Sequence, residues 1–497
     1  MRKMQKTQSN NYIIVFVKGS IISLFGAGLL GVLNYFIRRE LALSLDLADF
    51  GFLYSALALC MIFLAYLDIG LGQSVTILIS KAFANNLKCK GNGYYLQILI
   101  IKLFLSIAVV IILALSYKFW MTDFFKHSDA TPFFILLSLI IIQAVGTAPN
   151  AVVTALKKFG LLNFCNNLGP LTILIIILFF NPVHNIKIYA LAFPIAALVM
   201  FAFLFTAMAC KGYLPKARSF KEFLKIGEIF HLSKWIAIST LGLTTMYYMD
   251  SLMLTWLDGL KAVGLYNVAL PIMQIAQSLM VIPAVFLPIV AGMWTERKEQ
   301  DIAAICGFIS EITIYLLWPI AFSIILLAKY LIILLFSAKF TDAAPALMIL
   351  FTGNILFSLA NFYMGTLNAG KFAKLVAISI AIAAVVNIFL NYILIPYLSI
   401  TGAAIATASS YLFITVFLFI ILKKNLKAFS IDKIKILKFS FPGTICVLIT
   451  LFFDFAWHFN LLYILGYFIL INLIYFSITF KTVFGYYKTA RSILKKE

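Results

Sequence analysis

The chain has 497 residues, of which 63% are hydrophobic and only 11% charged, with a formal net charge of +21. A soluble domain is nearer half apolar and a quarter charged, so this composition excludes a water-soluble globule and points to an all-α polytopic membrane protein. The positive balance does not mark a nucleic-acid binder, because no large polar domain exists to carry such a site.

A bilayer-crossing helix needs about 20 apolar residues. About fourteen such runs follow one another, near 13–37, 49–72, 94–116, 131–155, 160–181, 188–210, 231–256, 263–292, 305–328, 344–368, 372–396, 401–422, 437–455 and 460–480. With the N-terminus placed in the cytoplasm, about 29 of the 39 basic residues fall on cytoplasmic ends and loops, as the positive-inside rule requires. Both termini are then cytoplasmic. The first apolar run is too long for a signal peptide and has no small-residue cleavage pattern, so it reads as a retained helix. Residues 1–210 form a first six-helix bundle. Residues 211–230 form a cytoplasmic linker, whose Lys221 to Ile226 has the spacing of a membrane-surface helix. Residues 231–425 form a second six-helix bundle, and 426–497 form two peripheral helices and a basic tail. On the outer side, Tyr330 to Phe336 reads as an interfacial helix.

The first two runs are written twice. Gly51-Phe52-Leu53-Tyr54-Ser55-Ala56-Leu57 is echoed 213 residues later by Gly264-Leu265-Tyr266-Asn267-Val268-Ala269-Leu270. Thr154 to Phe159 is echoed by Thr366 to Phe372 at nearly the same offset. Two echoes with one spacing indicate an internal repeat, and duplicated helix sets with a site between them are a common transporter plan.

Pro170, Pro194, Pro271, Pro283, Pro288, Pro319 and Pro442 interrupt apolar runs. Such spans sit in a bundle or line a cavity, where neighbours satisfy the freed carbonyl. The six cysteines lack metal or disulfide spacing and read as small buried hydrophobes. The four histidines fall near span ends and read as solvated at the interface. No catalytic triad, P-loop or metal motif emerges, so a carrier is expected and not an enzyme.

Asn387-Ile388-Phe389-Leu390-Asn391-Tyr392-Ile393-Leu394-Ile395-Pro396, followed by Gly402-Ala403-Ala404-Ile405-Ala406-Thr407, resembles a signature of the polysaccharide-exporter branch of the multidrug/oligosaccharidyl-lipid/polysaccharide (MOP) flippase superfamily. Asp49 to Tyr54, Asp68 to Gly72, and Asp250 to Leu254 ahead of Gly264 are similar to it as well. One departure is Ser399, where that family commonly shows Gly. Small residues such as Gly402 let helices approach, and Asn387 and Asn391, one turn apart, can bond across helices.

The resemblance implies two six-helix bundles facing each other around a central cavity, with two peripheral helices. It implies alternating-access movement of an undecaprenyl-diphosphate-linked oligosaccharide across the plasma (inner) membrane, an O-antigen flippase in the lipopolysaccharide case. It also implies a monomer, in company with polysaccharide polymerase machinery, and no cofactor. A diphosphate cargo needs cations inside the membrane, for which Lys18, Lys102 and Lys234 are candidates beside a snorkelling reading. Arg38 and Arg39 could gate the outer end with Asp250 or Asp49. Asp250 and Asp68 are the carboxylates to weigh for proton or sodium coupling, against a packing or helix-ending role. Two other readings stay open: a multidrug or organic-cation antiporter of the same superfamily, and a lipid II-type flippase. A pathway enzyme would need a large outer loop, which the sequence lacks.

Overall fold

The computed structural model describes residues 26, 28–85, 87–156, 158–180, 184–210, 226–279 and 290–431, with isolated positions between 466 and 477. Lys18, residues 221–225 of the expected surface helix, Pro283, Pro288, Pro442 and the spans expected at 437–455 and 460–480 lie outside the described residues, the second span all but a few isolated positions. The described chain is helical. Its helices are α1 (28–44), α2 (Leu47–Asp68), α3 (Leu71–Ala84), α4 (Lys88–Leu115), α5 (Thr131–Ala155), α6 (Phe159–Phe180) and α7 (Ile186–Cys210). They continue with α8 (Ile226–Leu257), α9 (Leu260–Leu279), α10 (290–295), α11 (Glu299–Leu335), α12 (Ala344–Ala369) and α13 (Ala373–Asn425). Among the described residues, eight helices are long and apolar enough to cross a membrane.

The chain divides into two compact units, one of residues 1–279 with 380–403 and one of 280–379 with 404–497. In the first, α2 is the centre. It opens on Asp46, whose carboxylate accepts the Asp49 N–H at 2.7 Å, and it packs against α4, α5, α8 and α9. A helix apolar on every side must be surrounded: 72% of α2's apolar window is buried, against 22% for α4 and 17% for α6, whose open faces suit lipid. In the second unit α11 packs on α12, and Gly353 lies where a Cβ would stand 2.8 Å from Ala408 Cα.

Three expectations change in detail. The second span stops at Asp68, where Ile69 (φ 35°) and Gly70 (φ 71°) turn left-handed before α3. The interfacial helix expected at 330–336 is the continuous end of α11, whose 37 residues reach about 55 Å and outrun a bilayer core of about 30 Å. Pro170, Pro194, Pro271 and Pro319 lie inside continuous helices, because neighbouring helices and adjacent turns can absorb one missing donor. The eleventh and twelfth spans meet at Ser399, with φ 52° and ψ −132°. That is a conformation glycine adopts without strain, and it explains why glycine is usual there. Past the kink the chain turns so closely that a Cβ on Gly402 would stand 2.6 Å from the Leu394 carbonyl oxygen.

The repeat extends to helix boundaries. α2 begins at Leu47 and α9 at Leu260; α1 ends at 44 and α8 at Leu257; α5 begins at Thr131 and α12 at Ala344, each with proline in its first turn. All three pairs are 213 residues apart. The two copies also touch. A Cβ on Gly51 would stand 1.9 Å from the Leu260 carbonyl oxygen, and one on Gly264 would stand 2.6 Å from that of Leu47. Each glycine therefore meets the carbonyl four residues before its own counterpart. This reciprocal contact places α2 and α9 about a local pseudo-twofold axis.

Candidate functional site

A cavity of about 270 Å³ lies within the first unit. Its walls repeat the same register. Asn34 and Tyr247, Arg38 and Ser251, Tyr54 and Asn267, and Leu57 and Leu270 all line it, and each pair is 213 residues apart. Ile173 of α6 and Phe193 of α7 close one side. The cavity is thus built by equivalent positions of both copies.

Pseudosymmetry breaks at the charge. Copy one offers Arg38 where copy two offers Ser251. The Arg38 guanidinium carbon lies 4.8 Å from the centre of the Tyr54 ring, and its Nη1 donates to the Asn267 carbonyl oxygen at 3.4 Å. The Tyr247 hydroxyl is also within hydrogen-bonding reach. Among the described residues no carboxylate pairs with Arg38. Nor does any acidic residue line the cavity. The walls supply one cation, three phenols and two carboxamides: donors for anionic oxygens, and aromatic faces for sugar rings.

The family model for polysaccharide biosynthesis proteins matches residues 16–294. The chain belongs to that family. Its relatives include an uncharacterised membrane protein of Methanocaldococcus jannaschii, 25% identical over 438 residues, covering 83% of this chain and 84% of that protein. The probable low-salt glycan biosynthesis flippase Agl15 of Haloferax volcanii is 27% identical over 191 residues, covering 38% of this chain and 40% of that protein. Among solved structures, the lipid II flippase MurJ in an inward closed conformation matches with a TM-score of 0.71 at 16% identity, covering 94% of this chain and 100% of that one. An inward-facing multidrug MATE transporter matches with a TM-score of 0.69 at 15% identity, covering 82% and 98%. This polysaccharide biosynthesis protein therefore has the fold of MOP-superfamily transporters and is a multi-pass membrane protein.

Within it, the residues singled out from the sequence fall into separate clusters. Lys102 of α4 is 1% exposed; it pairs with Asp68 at the end of α2 and donates to Thr147 Oγ1 of α5 at 2.7 Å. Asp68 also accepts the Gly72 N–H at 3.3 Å. One candidate cation thus neutralises one candidate carboxylate. Lys234 is exposed, with its ammonium 5.4 Å from the neighbouring Trp235 ring. Arg39 pairs with Glu40 at 2.6 Å and Asp49 with His127 at 2.9 Å.

Asp250, 2% exposed, accepts from Tyr266 Oη at 2.6 Å, Asn391 Nδ2 at 2.7 Å and Asn387 Nδ2 at 3.4 Å. The two asparagines thus reach α8 from α13. The amide oxygen of Asn391 is buried and has no hydrogen-bond partner among the described residues.

One histidine differs from its expected solvated state. His127 is mostly buried and stacked on Phe52 at 4.1 Å; its Nε2 lies 2.9 Å from an Asp49 carboxylate oxygen, and its Nδ1 faces the N–H and the carbonyl oxygen of Asp129. His184 is exposed and its Nδ1 also donates to the Ser44 carbonyl oxygen at 2.8 Å. Sequence reasoning passed over Asn34, Tyr54, Ser251 and Asn267 as site residues. The signal for them was polarity at equivalent positions of the repeat.

Proposed function

We propose that this protein flips an undecaprenyl-diphosphate-linked oligosaccharide, an O-antigen or related repeat unit, from the cytoplasmic to the outer leaflet of the plasma membrane by alternating access. It carries the lipid-linked glycan and performs no covalent chemistry on it. The observation that carries this reading is Arg38: a cavity-lining cation with no carboxylate partner among the described residues, on a wall shared by both repeats. A phosphate leaving water needs such a group along its path, and the tyrosines and asparagines around it suit the adjoining sugar. An organic-cation antiporter would need an acidic cavity, and the described lining holds no acid. Asp250 with Asn391 is the proposed coupling site for sodium or a proton.

The test is transbilayer movement in proteoliposomes. A short-tailed fluorescent polyprenyl-diphosphate oligosaccharide is incorporated, and the fraction reached by a membrane-impermeant quencher is followed. Protein-dependent flipping, with no stimulated efflux of an organic cation, is the expected outcome. Cation efflux without glycan flipping would overturn the reading.

A further inference from the structure

A second, open cavity of about 410 Å³ lies in the same unit and shares no lining residue with the first. It is a groove formed where helices end: Ala48 at the start of α2, Phe125 and Lys126 after α4, and the turn from α8 into α9. Trp256, 57% exposed, lines it and stacks on Tyr392 of α13, with ring centres 6.4 Å apart and planes at 28°. Asp258, Lys126 and Lys261 are exposed and line the same groove as the indole. Positive-φ backbone and one side-chain hydrogen bond shape the groove. Lys126 (φ 52°) and Gly259 (φ 99°) line it in left-handed conformations, and Ser399 (φ 52°) bonds through its hydroxyl to the Asp258 carboxylate. Non-glycine residues stay in such conformations only where the surrounding fold fixes them.

An exposed indole flanked by one carboxylate and two ammonium groups matches a charged sugar. The C–H face of a pyranose stacks on the ring, its hydroxyls donate to Asp258, and a phosphate or uronate pairs with the lysines. A tryptophan that only anchors the bilayer interface needs neither the cavity nor the flanking charges. We propose that this groove is a second glycan-contact subsite, which holds an acidic oligosaccharide headgroup at the end of the unit where α8 gives way to α9. The inference rests on the proposed lipid-linked glycan cargo.

Photolabelling of the full-length protein in proteoliposomes tests it with two probes. One is a polyprenyl-diphosphate oligosaccharide with a diazirine on a terminal uronic acid; the other is phosphatidylcholine with a diazirine high in its acyl chain. The sugar probe should label the peptide containing Trp256 to Lys261. A K126Q/K261Q variant should lower that label roughly fivefold, the loss of a charge-assisted contact, and leave the acyl-chain label unchanged. Labelling of Trp256 by the acyl-chain probe alone would make it an interface anchor and overturn the subsite. Sugar labelling confined to peptides around Arg38 would overturn the subsite and spare the cargo reading. Sugar labelling at neither cavity would overturn both.

Discussion

Lys102 and Arg38 are both cations within one helical unit, and their surroundings are opposite. Lys102 is 1% exposed and has Asp68 as its counter-charge. An ammonium that deep costs several kcal/mol without an anion, so Asp68 is a condition of folding. Arg38 is only half-buried and lies against the Tyr54 ring and a carbonyl oxygen. A delocalised, weakly hydrated guanidinium tolerates that setting, and its charge remains open to an incoming anion. Burial alone therefore does not describe the two cations; the state of the counter-charge separates them.

The sharpest way to break this contrast is Asp68→Asn, which strands the Lys102 ammonium. Thermal denaturation in detergent should show a loss of about 3–5 kcal/mol, largely recovered in Asp68→Asn/Lys102→Met. Equal stability of the single and double variants would remove the obligate-pair half of the comparison. Next is the close approach of α2 and α9. Gly51→Ala puts a Cβ against the Leu260 carbonyl and should cost about 3 kcal/mol, more than Gly264→Ala, in the same melting assay. Arg38→Ala should behave in the opposite way to Asp68→Asn, with stability changed by under about 0.5 kcal/mol and flipping slowed roughly twentyfold. Tyr247→Phe and Asn34→Ala, which trim neutral donors from the cavity, should each slow initial rates by about threefold.

The smallest effect is at the surface. The Thr131 N–H, with Lys187 also contributing, holds the Asp129 carboxyl below its usual range. A depressed folded value means the stabilisation is present above the ordinary carboxylate range and is lost as pH falls below about 4. Asp129→Asn should flatten melting temperature against pH only in that acidic window.

Much of this arrangement was readable from residue order. Apolar run length and loop charge located the helices because the bilayer imposes both. The fold class and the superfamily came from the repeat and from Asn387 to Thr407. The partner of each intramembrane charge was not readable, since Lys102 meets Asp68 across 34 residues and Asp250 meets Asn391 across 141. Spacing along a helix does not specify which neighbouring helix a face meets. The cavity was half legible: the offset that relates Gly51 to Gly264 also relates Tyr54 to Asn267 and Asn34 to Tyr247, yet hydroxyl and carboxamide side chains do not stand out in an apolar run as charges do. Left-handed Ser399 was flagged only by the glycine that its family usually has there.

The most direct test compares initial flipping rates of wild type, Arg38→Lys and Arg38→Ala in proteoliposomes matched for folded protein. The account predicts a large loss for alanine and a partial one for lysine, which keeps the charge and loses the planar fork, with melting temperatures unchanged. Wild-type flipping by Arg38→Ala would show that the open cation of the shared cavity does not carry the cargo's charge, and would contradict the account.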